Sequence, residues 1–167
     1  MLCPVCRYDN FEGEDTCANC GADLSTSDVP QPALEFHDTV FGEHLDRLGL
    51  REPEIVEPMI SIGDAVRRMH EAATDCLLVC EGDRLVGIFT DRDAVVKVAG
   101  KPLAASGLAE LMTRDPVVLR PEDTLAVAIH KMAVGGFRHI PVVDEADRPI
   151  AVVSATDVFQ HIVAALG

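Results

Sequence analysis

The chain has 167 residues, 48 % of them hydrophobic, which is enough for one sizeable core and a small additional unit. Its formal net charge of −14 repels nucleic-acid phosphates and argues against direct DNA or RNA binding. No apolar run is long enough to span a membrane, and the start Met-Leu-Cys-Pro lacks the basic and apolar segments of a signal peptide. We therefore expect a cytoplasmic protein.

Residues 1–28 are predicted to form a small unit built on four cysteines. The C-x2-C pairs Cys3/Cys6 and Cys17/Cys20 are separated by ten residues. Each pair holds two thiolates on one tight knuckle, and two knuckles together complete the tetrahedral site that zinc favours. Such a site has no open position for catalysis, so the metal is predicted to be structural. Disulfides are disfavoured in the cytosol, and rubredoxin-like iron is the alternative metal.

The same unit carries six acidic residues and one arginine. We therefore expect it either to contact a protein or only to cap its own domain. Residues 21–34 have the polar, proline-containing composition of a linker. We predict a linker and one amphipathic helix over 29–52, because apolar residues recur there at helical spacing: Phe36, Val40, Phe41, Leu45 and Leu48.

The remainder of the sequence repeats itself with a period of about sixty residues. Pro53, Pro58, Ala65 and Met69 align with Pro116, Pro121, Ala128 and Met132 at one offset, and Val79, Asp83, Arg84 and Asp93 align with Val143, Asp147, Arg148 and Asp157 after one inserted residue. We place the first repeat at 53–105 and the second at 106–167. One copy alone leaves half its sheet uncovered, so the two are expected to pack as a pseudo-twofold pair.

Each repeat predicts the order β-α-β-β-α, which makes the fold class α+β or α/β. In the first repeat, strands are predicted at 55–56, 76–80 and 85–89, with helices over 61–72 and from Asp91. In the second repeat, the corresponding strands are 117–119, 140–143 and 150–153, with helices over 123–134 and from Ala155.

The stretch Gly87-Ile88-Phe89-Thr90-Asp91-Arg92-Asp93 joins a strand to a helix and is unusually polar where the two meet. Thr90 can cap the helix, with Asp93 three residues later as in a capping box. Ser154 and Asp157 have the same spacing in the second repeat. Capping alone therefore explains one hydroxyl and one acid in each copy, although a helix N-terminus beside a strand end can also hold a phosphate.

Residues 53–165 resemble a tandem pair of cystathionine-beta-synthase (CBS) domains, also called a Bateman module. The resemblance rests on the stretch 87–93, on its partner 151–157 and on Arg138-His139-Ile140-Pro141-Val142-Val143-Asp144. The first twenty-one residues resemble a short zinc ribbon, so the whole is similar to small proteins that combine a zinc ribbon with a CBS pair.

The resemblance implies an adenosyl-nucleotide site in which the acid of Ser/Thr-x-x-Asp holds ribose and the hydroxyls reach ribose or phosphate. It assigns these roles to Thr90 and Asp93 in the first repeat, and to Ser154, Thr156 and Asp157 in the second. Arg138 and His139 would face phosphate in the second repeat, whereas the first has Thr74 and Asp75 at that place.

An acid there opposes phosphate, so the second repeat is expected to be the better site, with Arg92 compensating in part in the first. Pro116, Val117 and Val118 are candidates for an adenine slot, although strand core is their alternative role.

We therefore expect a non-enzymatic sensor whose CBS pair binds AMP, ADP, ATP or S-adenosylmethionine and signals to a protein partner. The resemblance also implies a homodimer. A structural adaptor with vestigial pockets is the alternative, and a rubredoxin-like electron carrier is a weaker one. An enzyme is the weakest option because no nucleophile with a base, phosphate loop or open metal site is present.

Overall fold

The computed structural model describes residues 2–3, 5–11, 14–24, 40–98 and 107–166. The elements of the first repeat are β1 (Ile55–Val56), α1 (Ile62–Glu71), β2 (Cys76–Glu81), β3 (Arg84–Thr90) and α2 (Asp91–Val98). The second contains β4 (Thr113–Arg114), α3 (Leu125–Gly135), β5 (His139–Val143), β6 (Pro149–Ser154) and α4 (Ala155–Leu166). Short 3-10 helices lie at Leu45–Arg47 and Leu108–Glu110. The predicted mixed α/β fold is thus confirmed.

The three strands of the first repeat and β4 of the second form a four-stranded sheet with the order β1-β2-β3-β4. β1 runs parallel to β2, whereas β2–β3 and β3–β4 are antiparallel. β2 is buried along five of its six residues because side chains pack on both of its faces. Leu77 and Val79 join a core with α1 and Phe89, while Cys76 and Leu78 pack with Ile88 and Val152. Because successive side chains of a strand point to opposite faces, β2 contributes residues to two separate cores.

The second repeat forms a two-stranded sheet from β5 and β6. The link 144–148 is too short for a parallel crossover, so the strands form a hairpin. The carboxylate of Asp144 accepts backbone N–H groups from Ala146 and Arg148, both at 2.9 Å, and closes this turn. α3 begins after Thr124, whose hydroxyl accepts the N–H of Val127, and Gly136, with φ of 67°, caps its C-terminus.

The chain divides into two compact units that do not follow the repeat boundaries. One unit contains residues 1–50, 119–140 and 153–167, and the other contains 51–118 and 141–152. The domain boundaries assigned from the sequence therefore stay predictions. Among the residues described, no helix is long and apolar enough to cross a lipid bilayer.

The predicted helix over residues 36–48 is wrong in its described part, where only the single turn Leu45–Arg47 is helical after Val40. The carbonyls of Phe41 and Glu43 instead accept the N–H groups of Ala126 and Leu125, both at 2.9 Å. These are first-turn donors of α3, which have no partner within their own helix. The apolar spacing predicted the burial of Val40 and Leu45 but not their conformation. Phe36 and most of the predicted linker lie outside the described residues.

The predicted strand at 117–119 is also wrong, because these residues belong to no named strand. The short strand of this region lies earlier, at Thr113–Arg114, where it pairs with β3. Leu119 is fully buried and Val117 is exposed, although both belong to one continuous apolar run. The other predicted strands and helices are confirmed within one or two residues at each end.

Candidate functional site

The four cysteines of the N-terminal unit converge on one point. All four Sγ atoms lie within 4.8 Å of one another; Cys3 Sγ and Cys20 Sγ are 3.7 Å apart, and Cys6 Sγ and Cys17 Sγ are 3.6 Å apart. Four thiolates bound at 2.3 Å around a tetrahedral ion are about 3.8 Å from each other. A disulfide instead requires about 2.05 Å. The arrangement thus fits a four-thiolate metal centre and excludes the disulfide alternative in this structure.

The two knuckles share a backbone geometry. The N–H of Arg7 donates to the carbonyl of Cys3 at 2.9 Å, and that of Gly21 donates to Cys17 at 2.8 Å. Both residues have positive φ, 58° and 72°, so Arg7 adopts the left-handed conformation that glycine takes in the second knuckle. The different residue in the first knuckle therefore leaves the turn type unchanged.

Asn10 connects the two knuckles, a role that sequence reasoning missed. It is a buried polar residue whose Oδ1 accepts the N–H of Ala18 at 2.9 Å, while its Nδ2 donates to the carbonyl of Tyr8 at 2.9 Å. Nothing in the cysteine spacing points to an asparagine. A buried amide with partners on both knuckles holds them at a set distance.

The thiols of this cluster differ in acidity. Burial raises the pKa of the Cys20 thiol. Burial also opposes ionisation of Cys17, but backbone hydrogen bonds from Cys20 and Asn19 outweigh it and lower the pKa of Cys17 to about 6. One thiolate is therefore available near neutral pH before any metal arrives, and thiolates are the form that binds metal.

The strand-to-helix junction of the first repeat is a reciprocal capping box. Asp93 Oδ2 accepts the N–H and the hydroxyl of Thr90 at 2.9 and 2.8 Å, and the Thr90 hydroxyl accepts the N–H of Asp93 at 3.3 Å. The predicted cap is confirmed, and it ties the end of β3 to the first turn of α2.

The second repeat forms the same junction. Asp157 Oδ2 accepts the N–H and hydroxyl of Ser154 at 2.9 and 2.6 Å, and the Ser154 hydroxyl accepts the N–H of Asp157 at 3.1 Å. Ser154 is buried, and Thr156 is exposed on the first turn of α4. A carboxylate held in this way keeps its orientation and can accept hydroxyl donors from a ligand.

A backbone hydrogen bond places one further residue at each junction. The N–H of Asp91 donates to the carbonyl of Asp75 at 2.9 Å, and the N–H of Ala155 donates to the carbonyl of Arg138 at 2.8 Å. Arg138 therefore stands beside the start of α4, with His139 next to it as the first residue of β5. The structure thus brings together Arg138, Ser154 and Asp157, whereas Asp75 takes the equivalent place in the first repeat.

Two ion pairs at the junction helices were not predicted from the sequence. Lys97 Nζ lies 2.7 Å from Asp93 Oδ1 on α2. In the second repeat, His161 Nε2 lies 3.2 Å from Glu43 Oε2, at an angle outside hydrogen-bonding range. The i,i+4 spacing of Asp93 and Lys97 is the only sequence signal that could have indicated either pair.

The remaining predicted residues are not gathered in the same way. Arg92 is exposed on the first turn of α2, where its N–H donates to Asp91 Oδ1. Pro116, Val117 and Val118 belong to the compact unit that contains residues 51–118, and their adenine role stays a prediction. Cys76 and Cys80 are buried in β2, and burial first, then Glu57 and Asp83, raises the pKa of Cys80, so its thiol is an inert apolar group.

Comparison with known proteins agrees with this architecture. The family model for the CBS domain matches residues 47–100 and 108–164. The chain therefore belongs to the CBS domain family and carries two CBS domains.

Curated relatives share the CBS region. The CBS domain-containing protein CBSCBSPB5 of Arabidopsis thaliana is 38 % identical over 105 residues, which are 60 % of this chain and 19 % of the plant protein. An uncharacterized 17.7 kDa protein of Acidianus ambivalens is 31 % identical over 62 % of this chain and 63 % of its own length. This chain thus spans only about a fifth of the length of the plant relative.

Solved structures share the fold. The CBS-domain protein ATU1752 of Agrobacterium tumefaciens has a TM-score of 0.64 at 30 % identity, covering 71 % of this chain and 92 % of that one. CBSX2, solved in complex with AMP, has a TM-score of 0.65 at 22 % identity and covers 75 % of this chain and all of its own. The CBS pair of MJ0100, solved with 5′-methylthioadenosine and S-adenosylmethionine, has a TM-score of 0.67 at 22 % identity, covering 73 % and 97 %.

Proposed function

We propose that this chain is a non-enzymatic regulatory protein whose CBS pair binds an adenosyl ligand: AMP, ADP, ATP or S-adenosylmethionine. The observation that carries the proposal is the meeting of Arg138, Ser154 and Asp157 at one strand-to-helix junction. CBS pairs of the same fold have been solved with AMP and with S-adenosylmethionine, which supports the same ligand class.

Each group at the second junction has a role that its chemistry allows. The carboxylate of Asp157 accepts ribose hydroxyls, and Ser154 holds that carboxylate in place. The N-terminus of α4, together with Thr156, Arg138 and His139, faces the phosphates, since free N–H groups and a guanidinium both favour an anion. Pro116, Val117 and Val118 stay the candidates for the adenine slot that the resemblance implies. Binding then favours one arrangement of the pair, and that shift is the regulatory output.

The first tests are thermal-shift measurements with AMP, ADP, ATP, GTP, NAD and S-adenosylmethionine. A ligand at a hundred times its dissociation constant stabilises the native state by about 2.7 kcal/mol, which raises the melting temperature by several degrees. We expect a rise with the adenosyl compounds and none with GTP. Equal shifts with GTP, or none with any compound at millimolar concentration, would contradict the proposal.

Asp157→Ala tests the site itself, and the chain offers a matched control. Ser61 and Asp64 form the same kind of capping box on α1, with Asp64 Oδ2 2.7 Å from the Ser61 hydroxyl. Asp64→Ala therefore removes a similar cap outside the junction. We expect both variants to lose some stability but only Asp157→Ala to lose the ligand-induced shift. Retention of that shift contradicts the ribose role of Asp157.

We also propose that the ion in the cysteine cluster is zinc and that it is structural. Four thiolates leave no position for substrate or water. Apart from cysteines, the buried hydrophobic residues in the described part of 2–24 are Ala22 and Leu24, which is little core to fold without metal. Metal analysis is expected to find one zinc per chain in a colourless protein. A coloured protein with stoichiometric iron would indicate the rubredoxin-like alternative.

The ribbon is proposed to contact a protein partner. Among its described residues, three large apolar side chains are exposed: Leu2 is 65 % exposed, Tyr8 48 % and Phe11 84 %. We further propose that the protein is cytoplasmic and that it forms a homodimer. The homodimer is supported by apolar residues that α2 and α4 expose: Val95, Val96, Phe159, Val163 and Leu166. Light scattering on the purified chain gives the oligomeric state directly.

A structural adaptor is the second candidate. It is favoured by one observation, that Asp93 and Asp157 both cap helices, which is a role that needs no ligand. In that case the pockets are vestigial and the ribbon alone carries the function. Deletion of residues 1–24 then abolishes partner binding, and the nucleotide panel stays flat.

A further inference from the structure

The ammonium group of Lys97 is engaged by three acceptors, one in the first repeat and two near the start of the second. Nζ lies 2.7 Å from Asp93 Oδ1, and it donates to the carbonyl of Leu111 at 2.8 Å and to the hydroxyl of Thr113 at 3.4 Å. An ammonium group has three N–H donors. Lys97 is therefore held against the junction instead of extending into solvent, and its side chain is only 36 % exposed.

The carboxylate of Asp93 has little acceptor capacity left. Oδ2 accepts two hydrogen bonds from Thr90, and Oδ1 receives the ammonium of Lys97. A carboxylate accepts about four hydrogen bonds, so these three leave about one. A ribose that presents both hydroxyls to Asp93 needs two. Lys97 thus takes the place of a ribose hydroxyl as donor to Asp93.

The second repeat has a different residue at the corresponding place. His161 stands four residues after Asp157, as Lys97 stands four residues after Asp93. Its Nε2 faces Glu43, which lies before the first repeat. The two junctions therefore share their caps and differ in the residue that follows the capping acid by one helical turn, a lysine in the first repeat and a histidine in the second.

We propose that Lys97 closes the first repeat to ribose, so that each chain binds a single adenosyl ligand, at the second repeat. This inference rests on the proposed function and identifies which CBS domain carries it. Lys97 acts here as a specificity residue, because it decides which ligand group Asp93 can accept.

The test is the stoichiometry of adenosine binding to the full, zinc-loaded chain, measured by titration calorimetry. Adenosine is the probe because it presents ribose without a phosphate, which Asp75 would repel in the first repeat. We expect one adenosine per chain in the wild type and two in Lys97→Met, which keeps the length of the side chain but removes its donors. Lys97→Leu, which also lacks donors, serves as a second variant if Lys97→Met proves unstable.

Two controls separate ribose exclusion from a general effect of charge. Arg67→Met removes one cation from an exposed i,i+3 ion pair with Asp64 on α1 and is expected to leave the stoichiometry at one. With 2′-deoxyadenosine, which lacks one hydroxyl, the site gained in Lys97→Met is expected to weaken at least tenfold, since a hydrogen bond to a charged group is lost.

The outcomes distinguish this inference from the proposed function. Two adenosines per wild-type chain, or one in a folded Lys97→Met, overturns the role of Lys97 while the sensor proposal stands. If the wild type binds none, the second repeat is not a nucleoside site and the proposed function fails. Lys97→Met then still decides the inference, because one adenosine gained supports exclusion by Lys97 and none gained overturns it.

Discussion

The two CBS repeats have the same junction but different electrostatics around it. Thr90–Asp93 and Ser154–Asp157 form caps with the same three hydrogen bonds. The residue beside each helix start is Asp75 in one repeat and Arg138 in the other. The comparison teaches that the same capping motif forms the same backbone junction in both repeats, while the residue beside it changes from an acid to a base.

The largest expected effect concerns Arg138. Arg138→Met removes the guanidinium from the second junction, so AMP affinity should fall roughly 10- to 100-fold, because a charge-assisted hydrogen bond is lost. Adenosine affinity should stay within about twofold, since adenosine lacks the phosphate. Calorimetry with both ligands measures the difference. Equal losses for AMP and adenosine would show that Arg138 acts on the fold and not on phosphate.

The next effect concerns the strand positions Gly87 and Ala151, which align in the two repeats. A Cβ added at Gly87 would lie 2.5 Å from Met112 Sδ and 3.2 Å from the carbonyl oxygen of Thr113, because β4 crosses there. Gly87→Ala should therefore destabilise the protein by about 1–3 kcal/mol.

Chemical denaturation measures this cost, and Met112→Ala combined with Gly87→Ala should recover part of it. A neutral Gly87→Ala variant would contradict the close approach of β4. Ala151→Gly is the matched change in the second repeat and should cost less than about 1 kcal/mol.

A smaller effect is expected where the first helix of each repeat ends. Ala73 and Gly136 occupy equivalent positions and both have positive φ, 49° and 67°. The left-handed conformation costs a residue with a Cβ roughly 1 kcal/mol. Ala73→Gly should thus stabilise the protein by up to about 1 kcal/mol, and Gly136→Ala should destabilise it by a similar amount.

Thermal melting of the two variants measures whether each substitution raises or lowers the stability. A Cβ at Gly136 meets nothing within 4 Å, so steric overlap does not confuse the result. Effects of the same sign in the two variants would contradict a shared left-handed helix end.

The smallest effect is a pH dependence confined to the hairpin of the second repeat. The backbone N–H of Arg148, then its side chain, lowers the pKa of Asp144 below its usual 3.8. A lowered pKa in the folded state adds stability above the unfolded pKa, and that stability is lost as the pH falls through the folded pKa. Asp144→Asn should therefore melt below the wild type at pH 6, with the difference shrinking below about pH 4. A difference that is constant across this range would indicate that the carboxylate charge is not involved.

Much of the architecture was predictable because its signals are local. The starts of α2 and α4 at Asp91 and Ala155 follow from capping residues that lie three positions apart in the sequence. The buried strand β2 follows from a continuous apolar run. The four-cysteine cluster was predictable because the two short knuckles leave its ligands few other arrangements.

Other features could not be read from the sequence because their partners are distant in the chain. The spacing of apolar residues predicts a helix over residues 41–46. The carbonyls of Phe41 and Glu43 instead accept N–H groups from the first turn of α3, about eighty residues later. The three acceptors of Lys97 include Leu111 and Thr113, which only the approach of β4 to β3 brings near.

The sequence by itself determined the duplication, the cysteine cluster, the strand–helix order of each repeat and the two Ser/Thr-x-x-Asp caps. These depend on hydrogen bonds and side-chain periodicities that span only a few residues. The tertiary structure decided which carboxylate is occupied by a lysine and where the segment before the first repeat makes its hydrogen bonds. Those outcomes depend on distances between residues far apart in the chain, which only the folded backbone defines.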